Sequence, residues 1–361
     1  MGKLFLSFIL LGFLLTNSKQ ITAQAKVGKT SDDRRGKAAA PSNFYIVSVL
    51  DERSSDSTSL VVVSSDGKSL TRKVSLESGT IKGIKRVLTK GSSENTSLWP
   101  LSVRVNELDI KETLSGDRVI GQATVVLMFD LIKESGPTLL TQYKSSVKYS
   151  RPLDNMSNVE PTLGQLLSNS LKFIDNWIAA EASTNPNLAR GIALSFNDYE
   201  EQHEDTVYYD PQRPLVWDDF REKRSDSKFA ASVFPSFGYD EATKMVNGII
   251  HVDLVLKVYV VKSASWVGPG IRSNYNLEHE QRHFDLVKLV AERFKKKLLS
   301  EKLTPDNFQG IINFEYIEFY REMNRIQQEY DRETAHGTQP TAQEYWNRKV
   351  EAELKFFTPA K

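Results

Sequence analysis

Apolar residues along the chain follow two rhythms. Phe44 to Leu50 is apolar and β-branched, and Ser59 to Val63 is similar and ends at the turn dipeptide Asp66-Gly67. Leu101, Val103 and Val105 alternate with polar residues, as do Ala123, Val125, Leu127, Phe129 and Leu131, and more weakly Leu139 to Tyr149. Period-two alternation gives each strand one buried and one wetter face, which suits an antiparallel sheet. The rhythm then changes: Leu163, Leu167, Ile174 and Ile178 recur at helical spacing beside Trp177. A sheet closed by one amphipathic helix predicts an α+β domain over residues 43–183.

Residues 184–213 are polar, with Asn185-Pro186-Asn187 and the acids Glu200, Glu201, Glu204 and Asp205, and read as a linker. A second block, 214–361, opens at Pro214-Leu-Val-Trp-Asp-Asp-Phe220. It continues with a strand pair around Phe234 to Tyr239 and Ile249 to Val261. Along the longer strand, Val252, Leu254, Leu256, Val258 and Val260 make an aliphatic face opposite a mixed one. Such a strand is a candidate to flank a cleft and to take a peptide as an added strand. Helical patterning dominates from Asn276 onward, and no internal repeat links the two halves.

The N-terminus has a different pattern. A basic start, Met1-Gly-Lys3, precedes an apolar stretch from Leu4 to Leu15, then polar residues and Ala23-Gln24-Ala25. That order predicts a secretory signal peptide over residues 1–25, cleaved near Ala25, and the apolar stretch is short for a membrane span. Residues 26–42 lack periodicity and read as a disordered leader. The expected location is secreted or periplasmic, with no stable membrane span after cleavage.

The 361 residues are 40% hydrophobic with a formal net charge of +1, so two cored domains are expected and a nucleic-acid partner is not. Cysteine is absent, so disulfides are excluded and a metal site must use His, Asp, Glu or water. Oligomeric state leaves no trace in these patterns.

The chemistry concentrates in Leu277-Glu-His-Glu-Gln-Arg-His-Phe-Asp285, which contains H-E-x-x-H in a chain with only five histidines. Leu286, Val290, Phe294 and Leu298 continue a helical stripe that, extended backwards, carries His283 and His279 on nearly one face. One helical turn, about 6 Å for four residues, separates the two imidazoles, which can converge on one zinc ion. Glu280 points about 100° around the helix. It is the candidate general base, placed to take a proton from a water at the metal. The fold expected around this helix is a zincin-like α+β domain.

A catalytic zinc site needs three protein ligands and an open position. The extended motif with a third His is absent, because Leu286 stands where its Gly would be. The third ligand is sought downstream, at His336 or among Asp331, Glu333, Glu315 and Glu318. His203 lies in the acidic stretch and reads as a surface residue; His251 heads a strand and reads as structural.

Asn276 to Leu286 resembles the core of the DUF922 proteins, a bacterial family described as secreted zinc-dependent proteases. Three further stretches are similar: Pro214 to Phe220, Ser265-Trp-Val267, and Tyr330-Asp331-x-Glu-Thr-x-His336-Gly337 followed by Gln343 and Trp346. The likeness covers about residues 212–356 and departs at Arg282, where the family often has Gly. It implies zinc at His279 and His283, a metallopeptidase activity on peptide or protein substrates, and, through the recurring His-Gly, His336 as third ligand. The expected function is therefore an exported zinc-dependent metallopeptidase with Glu280 as base. The alternatives are a non-catalytic, zinc-stabilised binding or assembly module of the bacterial cell envelope, and a zinc hydrolase acting on cell-wall peptides or amides.

Overall fold

In a computed structural model of the chain, the described residues are 42–54, 59–63, 69–73, 80–152, 159–199, 203–223 and 229–357. The signal peptide, all of the leader but Ser42, and the Asp66-Gly67 turn lie outside them. The fold is mixed α+β, in two compact units divided between Ala180 and Glu181.

The first unit contains strands β1 (Phe44–Asp51), β2 (Ser59–Val63), β3 (Ser69–Lys73), β4 (Trp99–Ser115), β5 (Arg118–Lys133) and β6 (Gly136–Pro152), with helices α1 (Ile81–Leu88) and α2 (Val159–Glu181). Strands β4, β5 and β6 form an antiparallel meander. The sheet is not wholly antiparallel, as the alternation had implied. Strands β1 and β2 both run parallel to β4, pairing its first and last thirds. Alternation reports which face a side chain occupies and carries no information about the direction of the neighbouring strand. The buried face carries Leu101, Val103, Val105, Ala123, Val125, Leu127 and Phe129, and α2 contributes Leu163, Leu167, Ile174 and Ile178. Gly121 leaves the space in which the Tyr149 ring lies, so a side chain there would meet the ring. The Tyr149 hydroxyl donates to Glu112 at 2.6 Å, and Glu112 is fully paired by buried Arg151.

The second unit takes in the whole of the expected linker. Gly191–Asp198 (β7) and Thr206–Tyr208 (β8) are strands, joined by β9 (Ala231–Ser232), β10 (Pro235–Val246), β11 (Ile249–Val261) and β12 (Trp266–Val267). The stretch 184–213 therefore belongs to the sheet: β7 runs parallel to Ile249–Leu256, and β8 antiparallel to Tyr259–Val261. Its partners lie more than fifty residues downstream, a long-range pairing that a local polarity count does not register. Strands β10 and β11 form a hairpin whose turn is Asn247-Gly248, both at positive φ, as a two-residue primed turn requires.

Strand β11 has β10 along one edge and β7 and β8 along the other. It is a central strand and cannot take a peptide as an added strand, contrary to the sequence expectation. The small β9–β12 pair is separate from this sheet.

Three helices complete the unit: α3 (Asn274–Ser300), α4 (Phe308–Thr334) and α5 (Pro340–Phe357). The Ser273 side chain caps α3 by accepting from Asn276 N–H at 3.1 Å. Pro340 opens α5, where a missing N–H costs nothing. Leu254, Leu256 and Val258 on β11 pack with Phe284, Val287, Val290 and Phe294 on α3 in one core. Each such side chain contributes about 1.5–3 kcal/mol by leaving water. Helix α3 is buried over most of its circumference from His279 to Ala291, which places the metal motif inside the unit.

Candidate metal centre

Helix α3 presents His279 and His283 toward α4, and α4 answers with Asp331. The Asp331 Oδ1 atom stands 3.3 Å from His279 Nε2 and 3.0 Å from His283 Nε2. The three ligand atoms lie within 4.8 Å of one another, and the two histidines are buried. Atoms bound about 2.1 Å from one tetrahedral ion stand about 3.4 Å apart, so these separations suit a shared cation. This group could hold a metal ion.

The orientation of His279 follows from its neighbours. Gln343 on α5 gives its Nε2 hydrogens to the Tyr330 hydroxyl at 2.6 Å and to Asn347 Oδ1 at 2.9 Å. Its Oε1 therefore faces His279 Nδ1, at 2.9 Å, as an acceptor. The Nδ1 atom must then carry the proton, which leaves the Nε2 lone pair toward Asp331. Asn347 is itself fixed, accepting from Arg282 Nε at 3.0 Å and donating to Glu278 at 2.9 Å. Tyr330 stacks on His279 with ring centroids 4.8 Å apart and meets His283 edge-on at 4.9 Å. Its hydroxyl donates to the His279 carbonyl at 3.3 Å.

Arg282, where the resemblance departs, is buried between α3 and α5. It donates to Asn347, to Asp285 at 2.8 Å and to Glu351 at 2.7 Å. Asp285 also accepts from Tyr209 and Gln281, and Gln281 Oε1 accepts the Leu215 N–H at 2.8 Å. That last contact ties the Pro214–Phe220 segment to the metal helix. Within the segment, Asp219 accepts two bonds from Arg213 at 2.7 Å and one from Val216 N–H at 3.0 Å.

The charges around the centre favour a cation. Burial pushes the Asp331 carboxyl up, but the imidazoles of His279 and His283 beside it outweigh this and hold the group well below the usual carboxylate range. Burial pushes His283 down; its bond to Asp331 and the nearby carboxylates more than reverse this, so it binds a proton more readily than a free histidine. Glu280 is buried in the same cleft and is pushed up by desolvation. Its Oε2 accepts the Val233 N–H at 2.8 Å.

His336 was the favoured third ligand by resemblance, and the convergent set does not include it. Its Nδ1 lies 3.4 Å from Asp331 Oδ1, while its side chain is 48% exposed and packs on Phe229 with centroids 4.3 Å apart. Helix α4 ends at Thr334, and Ala335, His336 and Gly337 all have positive φ, so His336 lies in the turn after the helix that carries Asp331. Asp331 was one of the open alternatives. The other three stand elsewhere: Glu333 accepts from Trp346 Nε1 at 2.9 Å, Glu315 pairs with Lys297, and Glu318 pairs with Arg321. His203 lies near Tyr199 at 2.9 Å on the surface, and His251 sits in β11.

Val233 and Gln327, which hydrogen-bonds His283, carried no signal in the sequence reading. Gln343 and Tyr330 appeared there only as residues of the likeness, without a role.

The group lines a cleft of about 450 Å³ between the Phe229–Ser236 segment and α4. In the antiparallel β9–β12 pair, Ala230 and Phe234 bond toward the β12 side, through Gly268 N–H and Ser265 Oγ. Val233 N–H points the opposite way, to Glu280. The edge of β9 not used by β12 thus faces the centre.

No protein-family model matches the chain, so the DUF922 likeness rests on the quoted motifs, and no curated protein matches it either. Among solved structures, similar ones include a Xanthomonas campestris protein of the DUF330 family, at 13% identity and TM-score 0.27, covering 40% of this chain and 89% of that one. A minor lipoprotein from Acinetobacter baumannii shows 15% identity and TM-score 0.21, over 37% of this chain and 91% of its own. An uncharacterized protein gives 9% and 0.20, over 40% and 95%. At these scores none of the three assigns an activity to this chain.

Proposed function

We propose that this protein is an exported zinc-dependent metallopeptidase, with zinc held by His279, His283 and Asp331 and Glu280 as general base. The observation that carries the reading is the convergence of two Nε2 atoms and one carboxylate oxygen, with Glu280 buried in the same cleft. Two histidines and a carboxylate suit zinc, and three protein ligands are the number found where the ion acts in catalysis. When bound, zinc supplies a Lewis acid that polarises a carbonyl and makes water acidic near neutral pH.

The chain's own groups do the rest. Val233 N–H fixes Glu280 Oε2, and Oε1 takes the proton from the attacking water and returns it to the leaving nitrogen. Burial raises the affinity of Glu280 for that proton, as a base that must hold and release it requires. The side of the β9 segment away from β12, where Val233 N–H meets Glu280, is the place offered to an extended substrate. Export rests on the signal-like pattern of residues 1–25.

The test uses zinc-loaded full chain and a denatured, dye-labelled protein. Glu280→Gln is expected to keep its zinc and to lower cleavage by at least about a hundredfold. Cleavage at the wild-type rate in that variant removes Glu280 from the mechanism. Stoichiometric zinc with no cleavage by the wild type favours a zinc-stabilised module without turnover.

A further inference from the structure

We infer that Asn276 accepts a backbone N–H of the bound peptide, within about two residues of the bond that is cut, and so excludes proline from that position. This rests on the peptidase reading and adds a substrate contact and a specificity to it.

Asn276 stands on α3 three residues before His279 and four before Glu280. At about 100° per residue its phase falls between theirs, about 60° from the first and about 40° from the second. It precedes them along the axis by about 4.5 and 6 Å. All three line the same cleft. An extended peptide advances about 3.3 Å per residue, so a chain whose carbonyl sits at the metal beside Glu280 draws level with Asn276 within about two residues.

One hydrogen bond decides which end of the amide is offered. Asn276 Nδ2 donates to the Ile271 carbonyl at 2.9 Å, and the reverse orientation would set Oδ1 against that carbonyl oxygen. The Asn276 N–H is given to Ser273 Oγ at 3.1 Å. Among the described residues nothing donates to Oδ1, so it is the open group of the residue. The side chain is half-buried. A peptide entering the cleft strips water from this acceptor, and an N–H on the peptide restores the bond.

The same turn of α3 is tied to β9. Ile271 N–H bonds the Gly268 carbonyl at 3.4 Å, and Gly268 N–H holds the Ala230 carbonyl at 2.9 Å. On the other side of β9, Val233 N–H bonds Glu280. The residue before β9 is thus linked to Asn276 and the residue after it to Glu280. A peptide laid along that side of the segment passes both groups. The acceptor ignores side chains and reads only the backbone, which proline alone presents without a hydrogen.

The experiment uses a dye-labelled dodecapeptide of mixed sequence and a series in which each residue in turn is replaced by its hydroxy acid, exchanging one N–H for an ester oxygen. Binding is read by fluorescence anisotropy on zinc-loaded, full-length Glu280→Gln protein, and mass spectrometry maps the bond that wild type cuts. One ester within about two residues of that bond is expected to bind about fivefold more weakly than the parent, the worth of one hydrogen bond. Adding Asn276→Ala is expected to erase that difference at this position alone, and adding Asn276→Asp, which keeps an acceptor, to preserve it. A purely structural role at Ile271 would instead weaken every peptide by the same factor in Asn276→Ala. The contact is overturned if no ester near the cut bond binds more weakly, if the difference survives Asn276→Ala, or if no peptide binds. The first outcome is read without altering Asn276, so a folding defect in its variants leaves the test intact. An ester difference that Asn276→Ala erases, with no cleavage by wild type, keeps the contact and removes the peptidase. Cleavage by wild type, with every ester difference kept in Asn276→Ala, keeps the peptidase and removes the contact.

Discussion

Gln343 Oε1 lies 2.9 Å from His279 Nδ1, and the two hydrogens on the other side of that amide are given to Tyr330 and Asn347. The amide has one consistent orientation, and through it the imidazole has one tautomer. Such outer partners typically carry 10–100-fold in metal affinity. Gln343→Leu is therefore expected to weaken zinc binding by about that factor, as read by competition with a chromophoric chelator. Unchanged affinity would mean that His279 is oriented by packing against Tyr330 alone.

Asp331, one of the open alternatives in the sequence, stands with both histidines, and His336 does not join the group. Asp331→Ala removes an atom within 3.3 Å of both ligand nitrogens, whereas His336→Ala removes a ring that is half in solvent. The expected result is loss of at least about a hundredfold in zinc affinity for the first and less than about threefold for the second, since the first leaves only two protein ligands. The reverse order would put His336 on the metal and Asp331 behind it.

Gly337 sits at φ +75°, and a Cβ there would stand 3.1 Å from His279 Cγ. Gly337→Ala must bear a left-handed conformation, at a cost of about 1–2 kcal/mol, and also push on a ligand ring. A lower melting temperature and weaker zinc binding are expected together. A variant that melts early but binds zinc normally would show that the turn relaxes away from His279.

Asp219 predicts the acid limb of stability. Burial pushes its carboxyl up, but Arg213, the Val216 N–H and the Lys262 charge more than compensate, and its net position lies below the ordinary value. A lowered folded pKa stabilises the protein fully above the unfolded value of about 3.9 and loses that contribution as pH falls through the folded value. Urea midpoints of wild type and Asp219→Asn should differ most at neutral pH and converge below about pH 4. A constant gap down to pH 3 would contradict the assignment.

The sequence made the ligand helix legible because H-E-x-x-H and the Leu286–Leu298 stripe share one helical phase. It made the β10–β11 hairpin legible because alternation is a local property. It did not reveal that β11 is central, since alternation reports faces and not edges. Strands β7 and β8 were hidden by an acidic, polar composition and by partners far along the chain. His336 was favoured by the recurring His-Gly of the likeness and not by helical phase; five residues at about 100° each put it about 140° from Asp331 even on an unbroken helix, and three left-handed residues follow Thr334. The Val233 contact to Glu280 is made by a backbone N–H, which every non-proline residue has, so no residue type could announce it.

All three residues of the proposed metal group come from α3 and α4, but the amides that fix the first of them come from α5. Gln343 and Asn347 follow every ligand in the chain. As the polypeptide emerges from its N-terminus, the histidines and the aspartate are present before the residues that hold His279 in its binding tautomer. A metal centre on these residues would thus be finished late, with its affinity expected to rise only once α5 has docked.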